Sequence, residues 1–575
     1  MKLPTFYNYR DFSIKANPGA RGLIYLKPRL SFAILLILLC SFTATSQETV
    51  SPSPDELKKL SVEELMDMEV TLVSRSPEKL KEVPSAIQVI SADDIRHSGA
   101  TSIPEALRLA SNLQVAQLNA SAWIISARGF NTVFANKLLV MIDGRTVYTP
   151  LFGGVIWDMQ HVLLDDVEKI EVISGPGGTL WGANAVNGVI NIITKNAKDT
   201  QGFYMSLLAG SFIKDQAALR FGNKIGKKMH YKIYGQHFDR KASFHNDGQK
   251  NADAWRLSQA GFRIEYEASA KDNLTLQGDW YDGTRKTPGG NSDMNGQNIL
   301  ARWNHTFSEK SDLIVQLYYD RYFRDDIPSL NSDELNTVDL DLQYGLQISD
   351  HHHLLAGLGY RNVVDHAISR TSSVGILPER RNLDMFNGFV QDQISIGKRT
   401  KITVGTKILH NVYTGLELQP SLRGSVNVKK NNTLWLALSR AVRTPSRYDV
   451  DFYLPTMPLP PTSPSVAGGP NFVSEKLLAY ELGYRIQPNT RSTMSVAAFY
   501  NVYRDIYSVE ALPGTLTYQI QNGSRGNSWG TEFTGTYQLL KNWKAKLGYT
   551  YFDKKLEAKP GHTFNPDYLG NDAKH

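Results

Sequence analysis

Cysteine is nearly absent. Cys40 is the only one in 575 residues, and it lies inside the apolar run SFAILLILLCSF at residues 31–42. Six bases (Lys2, Arg10, Lys15, Arg21, Lys27, Arg29) precede that run, and Ala44-Thr45-Ser46 follows it ahead of Gln47. Basic residues, an apolar stretch and then small residues are the order of a secretory signal, so residues 1–46 are expected to be cleaved. Leu39 stands where a lipoprotein signal wants a small residue. Without that leader no cysteine is left, which excludes disulfides, thiolate zinc sites, iron–sulfur clusters and a cysteine nucleophile. Long hydrophobic runs are missing as well: no other segment approaches the roughly 18 consecutive apolar residues of a spanning helix. If this chain crosses a membrane, the remaining solution is a closed β-barrel, because only that also satisfies every backbone polar group in lipid. An excess of one charge is lacking too. The formal net charge is +7, but the leader's six bases against Asp11 account for +5, leaving +2 for everything else. That excludes the broad basic surface of a nucleic-acid binder.

What the chain has in quantity is alternation. From about residue 202 onward, apolar and polar residues change places with period two. Leu274, Leu276, Gly278 and Trp280 oppose Thr275, Gln277 and Asp279; Leu434, Leu436 and Leu438 oppose Trp435, Ala437 and Ser439. A polar face on strand after strand suits a barrel with lipid outside and a wet or plugged lumen inside. It does not suit the core of a sandwich or propeller, the soluble alternatives. Turn signals near residues 223–228, 268–273, 308–312, 349–353, 397–401, 429–432, 487–491 and 539–542 are short. Between them, residues 241–254, 284–297, 324–336, 365–379, 443–476 and 504–525 read as long loops. Short turns on one side and long loops on the other are expected of an outer-membrane barrel, the long ones facing outward. About 17 strands are expected, an odd count that leads to the expectation of a barrel incomplete at its carboxy terminus.

Residues 61–200 read differently. Residues 166–195, DVEKIEVISGPGGTLWGANAVNGVINIITK, place a strand, a turn with Gly175, Gly177, Gly178 and Gly182, and a second strand in succession. Glycines so dense mark a tight bend or a close approach to other chain. Pro84 and the strand behind it lead to Ala92-Asp93-Asp94-Ile95, a helix start with carboxylates in its first turn. Thr101-Ser102-Ile103-Pro104-Glu105 begins another. This is a small mixed α/β domain. The series PSAIQVISADDI, GATSIPEALR, ISARGF, LLVMIDGR and DVEKIEVISGPGGTLWGANAVNGVINIITK, in order from Pro84 to Lys195, resembles the plug domain of TonB-dependent outer-membrane receptors. Downstream, QPSLR (419–423), SRAVRTPS (439–446) and YELGYR (480–485) are similar to that family's barrel.

The resemblance implies a transmembrane antiparallel barrel of 22 strands filled by an amino-terminal α/β plug. The expected organisation is a signal peptide at 1–46, a periplasmic segment at 47–82, the plug at 83–198 and the barrel at 202–575. It also implies two partners besides outer-membrane lipid. One is TonB, which would pair by strand addition with Glu69, Val70, Thr71, Leu72, Val73 and Ser74. The other is an extracellular small-molecule ligand, a ferric siderophore by default, with cobalamin, haem or an oligosaccharide as alternatives. Nucleic acid is not among the partners. By the same resemblance Arg128, Arg145, Glu168 and Glu171 would take part in polar contacts between plug and barrel. From topology, ligand contacts belong on the plug apex (Trp123, Phe134) and on the longest outward loop (Tyr448, Phe452, Tyr453). Outside this class stand a passive porin or adhesin and a non-functional fragment.

Other chemistry finds no support. Gly182 is followed by Ala183-Asn184 rather than Lys-Ser/Thr, and Leu180 stands where a dinucleotide fingerprint needs glycine, so no nucleotide cofactor is expected. His351, His352 and His353 sit at a short turn and read as a solvated turn, with no metal expected. No catalytic nucleophile–base spacing occurs, and no enzyme activity is expected.

Overall fold

In the computed structural model, residues 62–72, 75, 77–326, 331–369, 374–429, 431–455, 457–460, 462–540 and 543–575 are described. The expected signal peptide, residues 47–61, Val73 and Ser74 lie outside them.

A twenty-stranded sheet runs from Gly202–Leu208 to Trp543–Ala558, its long strands pairing in sequence order. Three of its strands (Gly375–Ile376, Phe452–Leu454, Ser465–Ala467) are only two or three residues long and belong to outward loops. The other seventeen are longer, the number expected from the alternation. Among the described residues the two end strands do not pair with each other. No described helix is long and apolar enough to cross a membrane. The period-two faces separate as the sequence requires. Leu274, Leu276, Trp280, Leu434, Leu436 and Leu438 are exposed on the outer face, while Gln277, Trp435 and Ala437 turn inward to the plug.

All eight short turns lie at one end of the sheet, for example between Ile225 and Met229 and between Ile396 and Thr400. The opposite end corrects the expectation of long loops. Residues 284–297 are mostly strand, because Asp272–Thr287 and Gly290–Ser308 pair to their tips. Residues 504–525 are likewise spanned by Ser492–Ala511 and Thr517–Leu540. Polar, glycine-containing sequence reads as loop, but two neighbouring strands go on satisfying each other's backbone groups beyond the membrane whatever their side chains. The connection from Asn411 to Gly415, also at that end, is a tight turn.

The plug is built on a five-stranded sheet. Val167–Ser174 lies between Ala86–Ser91 and Gly188–Thr194, and the latter runs parallel to Leu138–Ile142. One face packs Ile170, Val172, Ile190 and Ile192 against Ile95, Ile103 and Leu107 of two helices. The other packs Val89, Leu139, Met141 and Val189 against Met66, Val70, Leu72, Leu80 and Val83 of the amino-terminal segment. Both helices start where the sequence signals them. Ser91 and Asp94 form a capping box ahead of Ala92–Ser98, which ends at Gly99 in the left-handed region. Ser102 caps Ile103–Leu107.

The sheet wraps the plug. Side chains reach it from every long strand between Ile213–Ile225 (Arg220 to Asp166) and Trp543–Ala558 (Thr550 to the Ser111 carbonyl). The glycine turn is one reason the fit can be close. A Cβ on Gly178 would meet Gln419 Oε1 at 2.4 Å, and one on Gly175, whose φ is +97°, would meet Glu481 Oε1 at 2.5 Å. Close approach to the barrel wall accounts for these two glycines, and no phosphate loop is needed to explain them.

Candidate functional site

Three places gather the residues singled out from the sequence: the outward face of the plug, the plug–barrel seam, and the segment leading into the plug.

At the outward face, Phe134 stands 49% exposed on a plug loop. Its ring lies 5.5 Å from Tyr448 and 5.7 Å from Phe152, and Tyr448 lies 5.5 Å from Phe452. Four aromatic rings thus form one chain across the joint between plug and outer loop, one pair edge-on and two tilted. Phe134, Tyr448 and Phe452 were expected here; Phe152, in a glycine-flanked turn, carried no periodic signal. Tyr453 is half-buried in the small loop strand Phe452–Leu454. Trp123 is not part of this chain of rings: half-buried, it packs against the plug core with the Arg108 guanidinium 5.2 Å over its ring.

The loop that presents Tyr448 is rigidly held. Ser446 and Asp449 form a capping box for the one-turn helix Arg447–Val450. The backbone amides of Arg447 and Tyr448 donate to the plug carbonyls of Pro150 and Leu151 at 2.9 and 2.8 Å. Arg447 is fully buried, bonding Asp451 at 2.5 Å together with Asp365 and the Pro378 carbonyl. Arg443, also fully buried, bonds Asp449 at 2.7 Å and Glu475 at 2.8 Å. Lys137 of the plug reaches the same Glu475. Sequence reasoning missed this network, because buried charges look locally like surface charges.

At the seam, Arg128 donates to Glu532 at 3.0 Å and to Glu481 at 2.8 Å, and stacks 4.1 Å from the Phe499 ring. Burial works against its charge, but the two carboxylates prevail and hold its pKa above the usual range. Arg145 bonds Asp320 at 2.5 Å. Both arginines thus stand against the barrel. The two glutamates do not follow the expectation. Glu168 lines a cavity beside the plug, and burial raises its carboxyl pKa. Glu171, fully buried, turns to the plug's own leading segment and accepts the backbone N–H of Thr71 and of Leu72, each at 3.2 Å, with Lys169 at 3.2 Å. In a strand of this register Glu171 shares the sheet face of Ile173, and that face is covered by residues 66–83 rather than by the wall.

The segment itself is stowed. Glu69–Val70 pairs with Glu78–Lys79. Val70 and Leu72 are each 1% exposed, and Trp181 donates its indole N–H to the Leu72 carbonyl at 2.7 Å. Among the described residues no cluster of His, Cys, Asp and Glu could hold a metal ion. Of the three turn histidines, His352 bonds Asp392 at 2.7 Å and His351 the Ser395 carbonyl at 2.9 Å.

Residues 79–189 match the family described as TonB-dependent Receptor Plug Domain. Residues 214–575 match the one described as TonB dependent receptor-like, beta-barrel. The chain belongs to the TonB-dependent receptors. The family comprises transporters of the outer membrane, and its plug and barrel are the two parts described above. Among relatives of this receptor, the vitamin B12 transporter BtuB of Vibrio vulnificus is 24% identical over 548 residues, 88% of this chain and 85% of that protein. An iron-regulated outer membrane virulence protein of Vibrio cholerae is 22% identical over 508 residues, 82% and 76% of the two chains. In fold, the receptor is similar to the siderophore receptor PirA from Pseudomonas aeruginosa, with a TM-score of 0.67 at 18% identity, covering 82% of this chain and 86% of that one.

Proposed function

We propose that this receptor is a TonB-energised importer in the outer membrane of a Gram-negative bacterium, and that its cargo is a metal chelate, in first place a ferric siderophore. The observation that carries the reading is the aromatic chain Phe152–Phe134–Tyr448–Phe452 at the outward joint of plug and loop. A bulky chelate with flat ligand groups is the kind of molecule such a surface holds. Contact there touches both plug and loop, so binding can bias the plug. Residues 69–74 are the proposed TonB-pairing strand, and residues 1–46 the signal that exports the chain. Similarity to siderophore receptors favours iron; similarity to a vitamin B12 transporter makes cobalamin the second reading.

A deletion strain carrying the gene on a plasmid tests both. Growth restored with ferric enterobactin as the only iron source supports the first reading, and growth restored only on limiting cyanocobalamin replaces it with the second. Removing residues 69–74 should abolish uptake while leaving surface binding intact. Uptake that survives the removal would make the protein a passive pore.

A further inference from the structure

A cavity of about 420 Å³ lies between the plug and one wall of the barrel. Its plug side includes Asp143, Thr146 and Gly182, and its wall side Arg302, Arg361 and Lys407. It extends from Arg75, on the side of the short turns, to Leu409, just below the outward turn after Asn411. Six cations line it (Arg75, Lys169, Arg263, Arg302, Arg361, Lys407) against four carboxylates (Asp143, Glu168, Asp339, Asp341). Arg75 pairs with Asp341 at 2.8 Å and Arg361 with Asp339 at 2.7 Å. Lys407 and Arg302 differ from these. Lys407 is 2% exposed, donates only to the Leu180 carbonyl at 3.1 Å and lies 5.3 Å from the Phe389 ring centre. Arg302 donates to Gln316 Oε1 at 3.0 Å and to the Asp143 carbonyl. Among the described residues neither has a carboxylate partner. A buried cation held only by carbonyls and a ring favours an arriving anion, and low-dielectric walls enlarge the effect.

The far side of the plug is packed and tied to the wall. There Ala86 packs against Trp435, Ala437 and Ala497, and Arg485 ties down the carbonyls of Leu80, Val83 and Ser85.

We infer that the cavity is an anion-selective transit site, in which cargo bearing carboxylate, phosphate or other anionic oxygen groups passes beside the plug along this wall and meets Lys407 and Arg302. Passage is one-sided, and the plug stays seated on the opposite wall. The inference rests on the importer reading for its purpose, but its test needs no cargo. Arg75, stacked 4.5 Å from the Trp181 ring and 4.9 Å from that of Phe389, obstructs the inner end.

The full chain carries no cysteine beyond Cys40, so single cysteines can be introduced cleanly. Asn304→Cys reports from the cavity and Ala497→Cys from the sealed side. Leu72→Asp puts a carboxylate beside Glu171 and expels the leading segment; Arg75→Ala is a milder opener should the first variant fail to fold. Each protein is treated with a sulfonatoethyl (anionic) and a trimethylammonioethyl (cationic) methanethiosulfonate. In the opened protein, modification at Asn304→Cys should rise, with the anionic reagent faster on the order of tenfold, and Lys407→Gln or Arg302→Gln should bring the two rates together. Ala497→Cys should stay unreactive throughout. The inference is overturned if Asn304→Cys never reacts, if the rate ratio ignores both neutralising changes, or if Ala497→Cys opens equally. Growth on iron or cobalamin decides the importer reading separately.

Discussion

Arg128 shows how much one side chain can hold in a lumen. It sits at φ +51° in the ISARGF segment and joins Glu481 and Glu532, which are 353 and 404 residues away. Removing it leaves two buried carboxylates unpaired, a loss of about 3–5 kcal/mol. Arg128→Ala should therefore lower the melting temperature of the plug in detergent and expose it to protease. Arg128→Lys should fall between, since an ammonium keeps the charge but loses the guanidinium's fixed fork. His161 gives a residue-scale prediction of the opposite kind. It packs 5.2 Å from Phe238 and 5.5 Å from Trp255, and burial pushes its pKa down to about 4 from 6.5. Between those values the unfolded chain binds more protons than the folded one, so stability is complete above 6.5 and declines as pH falls toward 4. A thermal melt across that range should show the decline, and His161→Gln should flatten it. The arginines on the plug were legible from their motif. Their partners were not, because no local pattern links residue 128 to residue 532.

Among the elements, the segment at residues 69–72 is the one that the proposed pairing with TonB requires to come free. Leu72 contributes about 1.5–3 kcal/mol by burial. The two backbone hydrogen bonds to the Glu171 carboxylate add about 1.5–3 kcal/mol each at most. These are similar in size, so neither alone holds the strand. Glu171→Ala should loosen it without unseating the plug: a cysteine introduced as Thr71→Cys should react with maleimide several times faster, while the melting of the barrel stays unchanged. An unchanged labelling rate would mean that the apolar face and Trp181 suffice. Helix starts at Ser91 and Ser102 were legible because capping is local chemistry. The outward hairpins were not, because strand pairing beyond the membrane is decided by the neighbouring strand and leaves no mark on either strand alone.

For the molecule as a whole, two different solvents hold the two parts. The sheet turns its apolar face to lipid, with each inner strand bonded on both sides. The plug is held in the lumen by many ion pairs and hydrogen bonds that water can replace, together with small apolar patches such as Leu180 against Leu355 and Phe389. Plug and barrel should therefore separate in urea: protease cleavage of the plug should appear at lower urea than loss of the far-UV β signal. A single coincident transition would show the two to be one cooperative unit.

The amino-acid sequence by itself determined the number of long strands, their inward and outward faces, the end that carries short turns, and the α/β character of the plug. All of these follow from backbone periods and turn chemistry that act over a few residues. Only the tertiary structure decided that Glu171 faces the leading segment, that Trp123 packs half-buried against the plug core, and that Phe134 meets Tyr448. It also decided that Arg443 and Arg447 are buried, each between a carboxylate of its own loop (Asp449, Asp451) and one from another strand (Glu475, Asp365). Such pairings depend on which strand stands opposite which face of the plug. That is settled by packing across hundreds of residues, where residue type alone carries no address.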